Sequence, residues 1–138
     1  MSLLIARESV MKKFIPYLRE HKLSPQQWRV LRALFDSEGV EMTDLSKICF
    51  LLLPSLSRII QNLESRDIVL RSKSPIDQRR SIISLTAYGK ELVEQMAPES
   101  EARYAHITDK FGYEKLELLY GLLDELVEKL EESEEDKS

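Results

Sequence analysis

The sequence predicts a mainly α-helical fold with one small β-hairpin, and three observations lead to that prediction. Apolar residues recur at helical spacing over most of the 138 residues. Ser24 followed by Pro25 marks the start of one helix, and Pro54 marks the start of another. The apolar period changes to that of short strands only around residues 68–71 and 81–85.

Apolar stripes set the expected limits of the first helices. Five apolar side chains predict an amphipathic helix that runs to about His21: Val10, Met11, Phe14, Ile15 and Leu18. The helix that begins after the Ser24 cap ends at residues 36–39, and its apolar face consists of Trp28, Leu31, Leu34 and Phe35. A short helix follows at residues 42–49, with Thr43 as its candidate cap.

The next helix and the hairpin after it are expected to form one motif. The helix runs from Pro54 to about residue 66, and its apolar stripe consists of Leu56, Ile59, Ile60 and Leu63. Its opposite face is polar and basic: Ser55, Ser57, Arg58, Gln61, Asn62 and Arg66. Two short helices joined by a tight turn, the second with such a face, are typical of a helix-turn-helix. A hairpin at about residues 68–85, with a loop at 72–80, extends the prediction to a winged helix-turn-helix.

Two long helical segments complete the chain. Thr86 is the candidate cap of a helix that reaches about residue 108, with Pro98 as a kink or break. From about Tyr113, a leucine seam at alternating three- and four-residue spacing requires a partner helix: Leu116, Leu119, Leu123, Leu126 and Leu130. The seam is either a core stripe within one chain or part of a dimer contact. We expect an obligate dimer held by residues 1–23 and 108–138, around a central lobe of residues 24–107.

The charge distribution is uneven, although the net charge is only −4. Residues 54–90 carry 7 basic and 3 acidic side chains, whereas residues 91–138 carry 5 basic and 15 acidic ones. Because steering of a charged partner depends on local potential, the basic middle segment is compatible with nucleic-acid binding. The acidic run EESEED near the C-terminus is typical of a solvated helix end.

Several function classes lack the residues that they require. The sequence has no glycine-rich phosphate loop and no nucleophile spaced with a base, so we expect neither enzymatic activity nor a cofactor. Cys49, His21 and His106 do not form a ligand cluster, so we expect no metal site. No segment has the pattern of a membrane span or a signal peptide, which predicts a cytoplasmic protein.

The hairpin carries a recognisable signature. Asp77-Gln78-Arg79, five further residues and then Leu85-Thr86 match the D-x-R-x5-L-T wing motif of the multiple antibiotic resistance regulator (MarR) family. The chain resembles this family over essentially its whole length. The resemblance includes residues 63–71, at and after the end of the second helix of the helix-turn-helix, which is the recognition helix. One departure is Asp67, which stands where the family usually has glycine. Since Asp tolerates left-handed backbone better than most residues, we expect the same fold.

Within the family, four strings are most similar to repressors of homoprotocatechuate, or 4-hydroxyphenylacetate, degradation operons. They are ARE at residues 6–8, QQWRV at 26–30, LPSL at 53–56 and DQR at 77–79. The resemblance implies a homodimeric repressor of an aromatic-compound catabolic operon. Its expected partners are a palindromic double-stranded operator and a small aromatic or phenolic acid that releases it.

The resemblance and the side-chain chemistry together suggest DNA contacts. In the recognition helix, short polar side chains and an arginine can reach base edges or phosphates: Ser55, Ser57, Arg58 and Gln61. Arg79 resembles the family's wing-tip arginine, which enters the minor groove. Asp77 is expected to orient the arginines through a charge-assisted hydrogen bond. The other wing cations are candidates for phosphate contacts: Arg71, Lys73 and Arg80. Alternatively, the helix face is simply solvated, and Asp77 and Arg79 stabilise the hairpin.

An effector site is suggested on the second helix. Trp28 and Arg32 are i, i+4 neighbours, so an indole and a guanidinium can flank one cavity for an aromatic carboxylate. Additional candidates for the same site are Arg7, Met11 and Tyr104. The alternative is that Trp28 belongs to the core and Arg32 to the surface or to a phosphate contact.

Two other functions remain open from the sequence. Some relatives sense oxidants through a cysteine, which would make Cys49 a redox sensor. Because Cys49 lies on the apolar stripe of a short helix, we expect a buried residue instead. The second alternative is a winged-helix module that binds protein through the leucine seam and the acidic tail and never contacts DNA.

Overall fold

The computed structural model describes residues 1–135, with the side chains of residues 1–132. Residues 136–138, the end of the expected C-terminal dimerisation segment, lie outside the described residues. No helix in the described part is long and apolar enough to span a bilayer. The elements in chain order are α1 (Ser2–Glu20), α2 (Pro25–Phe35), β1 (Val40–Glu41), α3 (Met42–Cys49), α4 (Leu53–Ser65), β2 (Val69–Lys73), β3 (Ser81–Leu85), α5 (Ala87–Phe111) and α6 (Tyr113–Glu135).

The chain divides into two compact units, and the first, Met1–Ser100, contains the helix-turn-helix and the wing. Its core brings together the apolar stripes of α1, α2, α4 and the hairpin. The largest side chains that are almost completely buried there include Tyr17, Leu31, Leu34, Leu56, Ile60, Leu63, Ile68 and Ile83. The expected stripes are confirmed at their central positions, whereas Met11, Ile15, Phe35 and Ile59 are only half-buried and Val10 is exposed.

A capping box starts α2, as the sequence predicts. The Ser24 hydroxyl accepts from the Gln27 backbone N–H at 3.1 Å, and the Gln27 side chain accepts from the Ser24 N–H at 2.9 Å. The two bonds satisfy backbone donors that a helix start would otherwise leave without a partner. The start of α2 is thus fixed locally, by residues next to each other in sequence.

Helices α1, α3 and α4 end in the same way, with a left-handed residue that is not glycine. These residues are Lys22, Phe50 and Asp67, with φ between 54° and 57°. After each of them, the next N–H bonds a carbonyl oxygen five positions earlier, at 2.9–3.1 Å. This arrangement is a Schellman motif, and it ends each helix sharply. The expectation that Asp67 adopts the left-handed backbone in place of the family's glycine is confirmed.

The three strands form one antiparallel sheet in the order β1-β3-β2. In the hairpin, Val69 lies opposite Leu85 and Lys73 opposite Ser81. Strand β1, which the sequence did not predict, has only two residues and pairs Val40 with Ile83. This pairing fixes the start of α3 to the base of the wing.

Two local expectations are wrong and one is confirmed. Thr43 does not cap α3, because the helix already begins at Met42 and Glu41 occupies the cap position without a side-chain bond. Of the kink or break expected at Pro98, the break is wrong, because α5 continues from Ala87 to Phe111 with Pro98 inside it. Thr86 does cap α5: its hydroxyl accepts from the Gly89 N–H at 2.9 Å.

The second unit, Glu101–Ser138, contains the end of α5 and all of the described part of α6. Helix α6 begins at Tyr113, as expected. Of the predicted leucine seam, Leu116 and Leu123 are half-buried, whereas Leu119, Leu126 and Leu130 are exposed. Further exposed apolar residues lie on the same helix: Leu118, Tyr120, Leu122 and Val127. Among the described residues, most apolar side chains of α6 are therefore exposed.

Candidate nucleic-acid interface

Helix α4, the recognition helix, is held near its C-terminal end by polar contacts. The Asn62 side chain accepts from the Gln27 amide of α2 at 2.9 Å. Arg66, the C-cap residue, donates to the carbonyl oxygens of Lys22 at 2.9 Å and His21 at 3.3 Å. Asn62 and Arg66 lie on the predicted polar face, but their side chains bond within the chain and fix the orientation of α4.

The rest of this polar face is available to a partner. Arg58 and Gln61 are exposed, and within residues 1–132 their side chains form no hydrogen bond or ion pair. Ser55 and Ser57 are half-buried on the two flanks of the same helix. The structure thus presents one cation and one amide on a rigid helix, with two hydroxyl groups beside them. That combination can donate to base edges and phosphates.

The wing loop is ordered by side chains that bond to its own backbone. Asp77 Oδ1 accepts from the Arg79 backbone N–H at 3.0 Å, and the Ser74 hydroxyl accepts from the Ile76 N–H at 3.3 Å. The loop closes where the Ser74 N–H donates to the Arg80 carbonyl oxygen at 3.0 Å. Asp77 therefore stabilises the backbone conformation at Arg79.

The expectation that Asp77 orients the arginine side chains needs a correction. Asp77 Oδ2 lies 3.8 Å from Arg80 Nε, but no side-chain bond joins Asp77 to the Arg79 guanidinium. The reason is geometric, because the turn directs the backbone N–H of Arg79 at the carboxylate. Asp77 thus acts on Arg79 through the main chain and on Arg80 through the side chain.

The wing cations fall into two groups. Arg80 pairs with Glu41 at 3.3 Å, and Arg71 lies 3.8 Å from Glu64 of the recognition helix. These exposed pairs contribute little to stability, but they partly neutralise both arginines. Arg79 and Lys73 are exposed and form no ion pair among the residues with described side chains. Arg79 therefore offers a free guanidinium at the tip of the wing.

The wing tip adjoins the beginning of the recognition helix. An open depression of about 240 Å³ is lined by Arg79 and Arg80 of the wing together with Leu53 of α4 and Glu41. The start of α3, at Met42 and Thr43, also lines it. The free arginine and the N-terminal end of α4 consequently belong to one continuous surface.

The predicted effector residues are spread over both units. On α2, the Arg32 guanidinium lies 5.9 Å from the Trp28 ring centroid, a cation–π contact. Trp28 is a core residue with only 8% of its surface exposed, whereas Arg32 is exposed. On α1, Arg7 is exposed and pairs with Glu8 at 3.3 Å, and Met11 is half-buried. Tyr104 lies on the part of α5 that belongs to the second unit.

Cys49 has the environment of a structural thiol. It is completely buried, and its carbonyl oxygen accepts from Arg29 Nη1 at 2.9 Å. Burial raises the pKa of the Cys49 thiol, and the nearby Arg29 guanidinium only partly opposes this effect. A reactive cysteine needs a low pKa and access to solvent, so the expectation of a buried, unreactive residue is confirmed.

The turn between α3 and α4 contains a feature that the sequence reasoning missed. Residues 50–53 read simply as a break between helices, yet Phe50, Leu52 and Leu53 are all exposed. The signal was visible, because a run of four apolar residues, FLLL, is unusual in a solvent-exposed turn.

Comparisons with known proteins agree with this architecture. The model of the MarR family matches residues 23–81. The chain is 39% identical over 124 residues to the transcriptional regulator FarR of Neisseria gonorrhoeae, covering 90% of this chain and 85% of that protein. It is 38% identical over 126 residues to the homoprotocatechuate degradative operon repressor of Escherichia coli, covering 91% and 85%.

A solved structure shows the same fold. The protein NadR, crystallised in complex with 4-hydroxyphenylacetate, superposes with a TM-score of 0.78 at 39% identity, covering 91% of this chain and 89% of that one. Together with the free recognition-helix and wing side chains, these similarities define the class of protein, which is a regulator and not an enzyme. The chain belongs to the MarR family and is a winged helix-turn-helix, DNA-binding transcription regulator.

Proposed function

We propose that the protein is a homodimeric repressor of an aromatic-compound catabolic operon, released from its operator by a small aromatic or phenolic acid. The observation that carries the DNA-binding part is the pair of free guanidinium groups of Arg58 and Arg79. One lies on the recognition helix and the other at the wing tip. In a winged helix, these positions face the major groove and the neighbouring minor groove respectively.

The contacts divide the candidate DNA residues by role. Arg58 and Gln61 are assigned to base edges, with Ser55 and Ser57 beside them. Arg79 is assigned to the minor groove, and Lys73 to a phosphate. Arg71 and Arg80 also add positive potential, but their carboxylate partners lower the contribution of each.

Exposed apolar surface on α1 and α6 supports the proposed dimer. On α1, Leu3, Leu4 and Ile5 are exposed, and on α6 Leu122 and Leu126 are exposed. Clusters of this kind are typical of contact surfaces between proteins. A symmetric dimer places one recognition helix in each half of a palindromic operator.

The effector site is assigned to the exposed side of α2, around Arg32. Its guanidinium already lies over the Trp28 ring, and it can bind a carboxylate in a bidentate manner. The relatives support an aromatic acid, because one is named as a homoprotocatechuate operon repressor and another was crystallised with 4-hydroxyphenylacetate. Release requires that the ligand binds more tightly to a dimer geometry that does not fit the operator.

Fluorescence anisotropy tests the proposal with DNA from the region directly upstream of the protein's own gene. Wild type should bind this DNA, and 4-hydroxyphenylacetate should weaken the binding. Arg32→Ala should bind the DNA as wild type does. Its release should need at least about tenfold more ligand, because the carboxylate of the ligand no longer has an arginine to bind. Arg19→Ala is the matched control, since Arg19 is likewise the basic residue in the last turn of its helix.

Two outcomes would contradict different parts of the proposal. If wild type does not bind the upstream DNA even at low salt, the proposal that the protein acts as a repressor at this DNA is wrong. If 4-hydroxyphenylacetate releases wild type, Arg32→Ala and Arg19→Ala equally, the DNA-binding function stands and the assigned effector site is wrong.

A further inference from the structure

The turn between α3 and α4 exposes apolar side chains that none of the roles above uses. Phe50 is 87% exposed and Leu52 is 78% exposed, and Leu53 follows directly in the chain. Large apolar side chains that are contiguous and exposed typically mark a contact surface. We call Phe50, Leu52 and Leu53 the turn patch.

The turn patch stands on a rigid backbone. The carbonyl oxygen of Cys49 accepts from Arg29, and the Leu51 carbonyl oxygen accepts from the Ser46 hydroxyl. The Leu51 N–H donates to the Ser46 carbonyl oxygen at 3.1 Å. The main chain on both sides of Phe50 is therefore fixed by hydrogen bonds.

Phe50 is an unfavourable choice for the stability of the fold. Its φ of 54° is in the left-handed region, where a bulky side chain is strained and glycine is not. Its ring also remains in solvent instead of joining the core. A residue that is both strained and exposed points to a contact outside the chain.

The turn patch is continuous with the proposed DNA interface. Leu52 is the N-cap residue of the recognition helix, the end that approaches base edges in this class of fold. An open depression of about 430 Å³ joins Phe50 and Leu52 to the cation of Lys47. On the other side, Leu53 shares its depression with Arg79 and Arg80. Cations thus line both depressions beside the patch, where Lys47 and Arg79 can pair with DNA phosphates, although Glu41 also lines the second one.

We propose that the turn patch binds thymine methyl groups in the major groove and so adds a base preference at the N-terminal end of the recognition helix. The inference rests on the proposed DNA-binding function. In the major groove the C5-methyl group of thymine is the apolar feature of a base edge, whereas the other groups are hydrogen-bond donors or acceptors. Apolar side chains at this position therefore have thymine as their matching base.

The test replaces thymine by uracil, which removes the methyl groups and keeps every hydrogen-bonding group. The upstream DNA is prepared with dTTP or with dUTP, and the dissociation constant of each duplex is measured by fluorescence anisotropy. Wild type should bind the uracil DNA at least about fourfold more weakly, which is the expected effect of losing one buried methyl contact. Leu52→Ala should reduce this ratio to below about twofold for the same reason.

The Phe50→Gly variant separates an effect on the DNA contact from an effect on folding stability. Glycine relieves the left-handed strain at this position, so the variant should unfold at the same or a higher denaturant concentration than wild type. Its ratio of affinities for thymine and uracil DNA should nevertheless fall. Leu70→Ala is the control for Leu52→Ala, because Leu70 is also an exposed leucine but lies outside the patch. Its ratio should equal that of wild type.

The outcomes distinguish this inference from the function on which it rests. If wild type binds thymine and uracil DNA equally, the protein is a DNA binder without methyl contacts at the patch. If all four proteins show the same ratio, the methyl groups act through DNA shape and the patch serves another partner, such as a protein. Either result overturns the inference. Failure of wild type to bind either duplex overturns the proposed function as well.

Discussion

Arg66, at the end of the recognition helix, donates a 2.9 Å hydrogen bond to the carbonyl oxygen of Lys22, at the end of α1. Its second guanidinium nitrogen donates to the His21 carbonyl oxygen at 3.3 Å. One side chain therefore satisfies two carbonyl groups beside the Schellman motif of α1 and links α1 to α4. Since α1 is also part of the proposed dimer contact, Arg66 connects that contact with the DNA-reading helix.

Arg66→Ala should lower the free energy of unfolding by about 1–3 kcal/mol, because it removes charge-assisted bonds to two carbonyl groups. Urea denaturation followed by circular dichroism measures the change. Arg58→Ala is the control on the same helix: its exposed side chain forms no hydrogen bond or ion pair with described residues, so its stability should stay within about 0.5 kcal/mol of wild type. Equal stability of Arg66→Ala and wild type would show that the link carries no energy.

Gly89→Ala should strongly destabilise the first unit. A Cβ atom at Gly89 would lie 2.1 Å from the Ile68 carbonyl oxygen, and a backbone atom cannot move aside as a flexible side chain can. We expect a loss of about 2–4 kcal/mol, in the range of overpacked and strained sites. Gly121→Ala is the comparison within a helix, since a Cβ there meets no atom within 4 Å and should stabilise by up to about 1 kcal/mol. Similar stability of the two variants would contradict the close packing of α5 on the wing base.

Cys49 predicts a specific dependence of stability on pH. Burial raises the pKa of its thiol above the ordinary value of 9.0, against a smaller opposing effect of Arg29. As the pH rises past 9.0, the thiol ionises in the unfolded chain but stays protonated in the folded one, so stability falls. Cys49→Ala lacks this dependence. The stability advantage of wild type over Cys49→Ala should therefore shrink between about pH 8 and pH 10. A constant difference, measured by urea denaturation, would contradict the buried thiol.

The sequence predicted the elements that depend on nearby residues. Ser24 and Gln27 form their capping box within four positions, and Asp67 takes the left-handed backbone that ends α4. Both features follow from local chemistry, which is why they could be read without a structure. The same holds for the recognition helix, because its stripe around Leu56 and Ile60 determines which face is exposed.

The features that the sequence did not predict depend on contacts between distant residues. Strand β1 exists only because Val40 meets Ile83, and two residues carry too little pattern to predict a strand. Arg66 reaches a carbonyl group more than forty positions away, so its structural role was hidden among the polar residues of its helix. The partner of Asp77 depended on the direction of the turn, which composition does not specify.

The most direct measurement of the central claim compares DNA binding by Arg79→Ala, Arg80→Ala and wild type over a range of salt concentrations. Arg79 is free at the wing tip, so its loss should weaken binding to the upstream DNA by about 10- to 100-fold and reduce the dependence on salt. Arg80 already pairs with Glu41 and Asp77, so its loss should have a smaller effect. If Arg79→Ala binds the DNA with unchanged affinity at low salt, the claim that the wing contacts DNA through Arg79 is wrong.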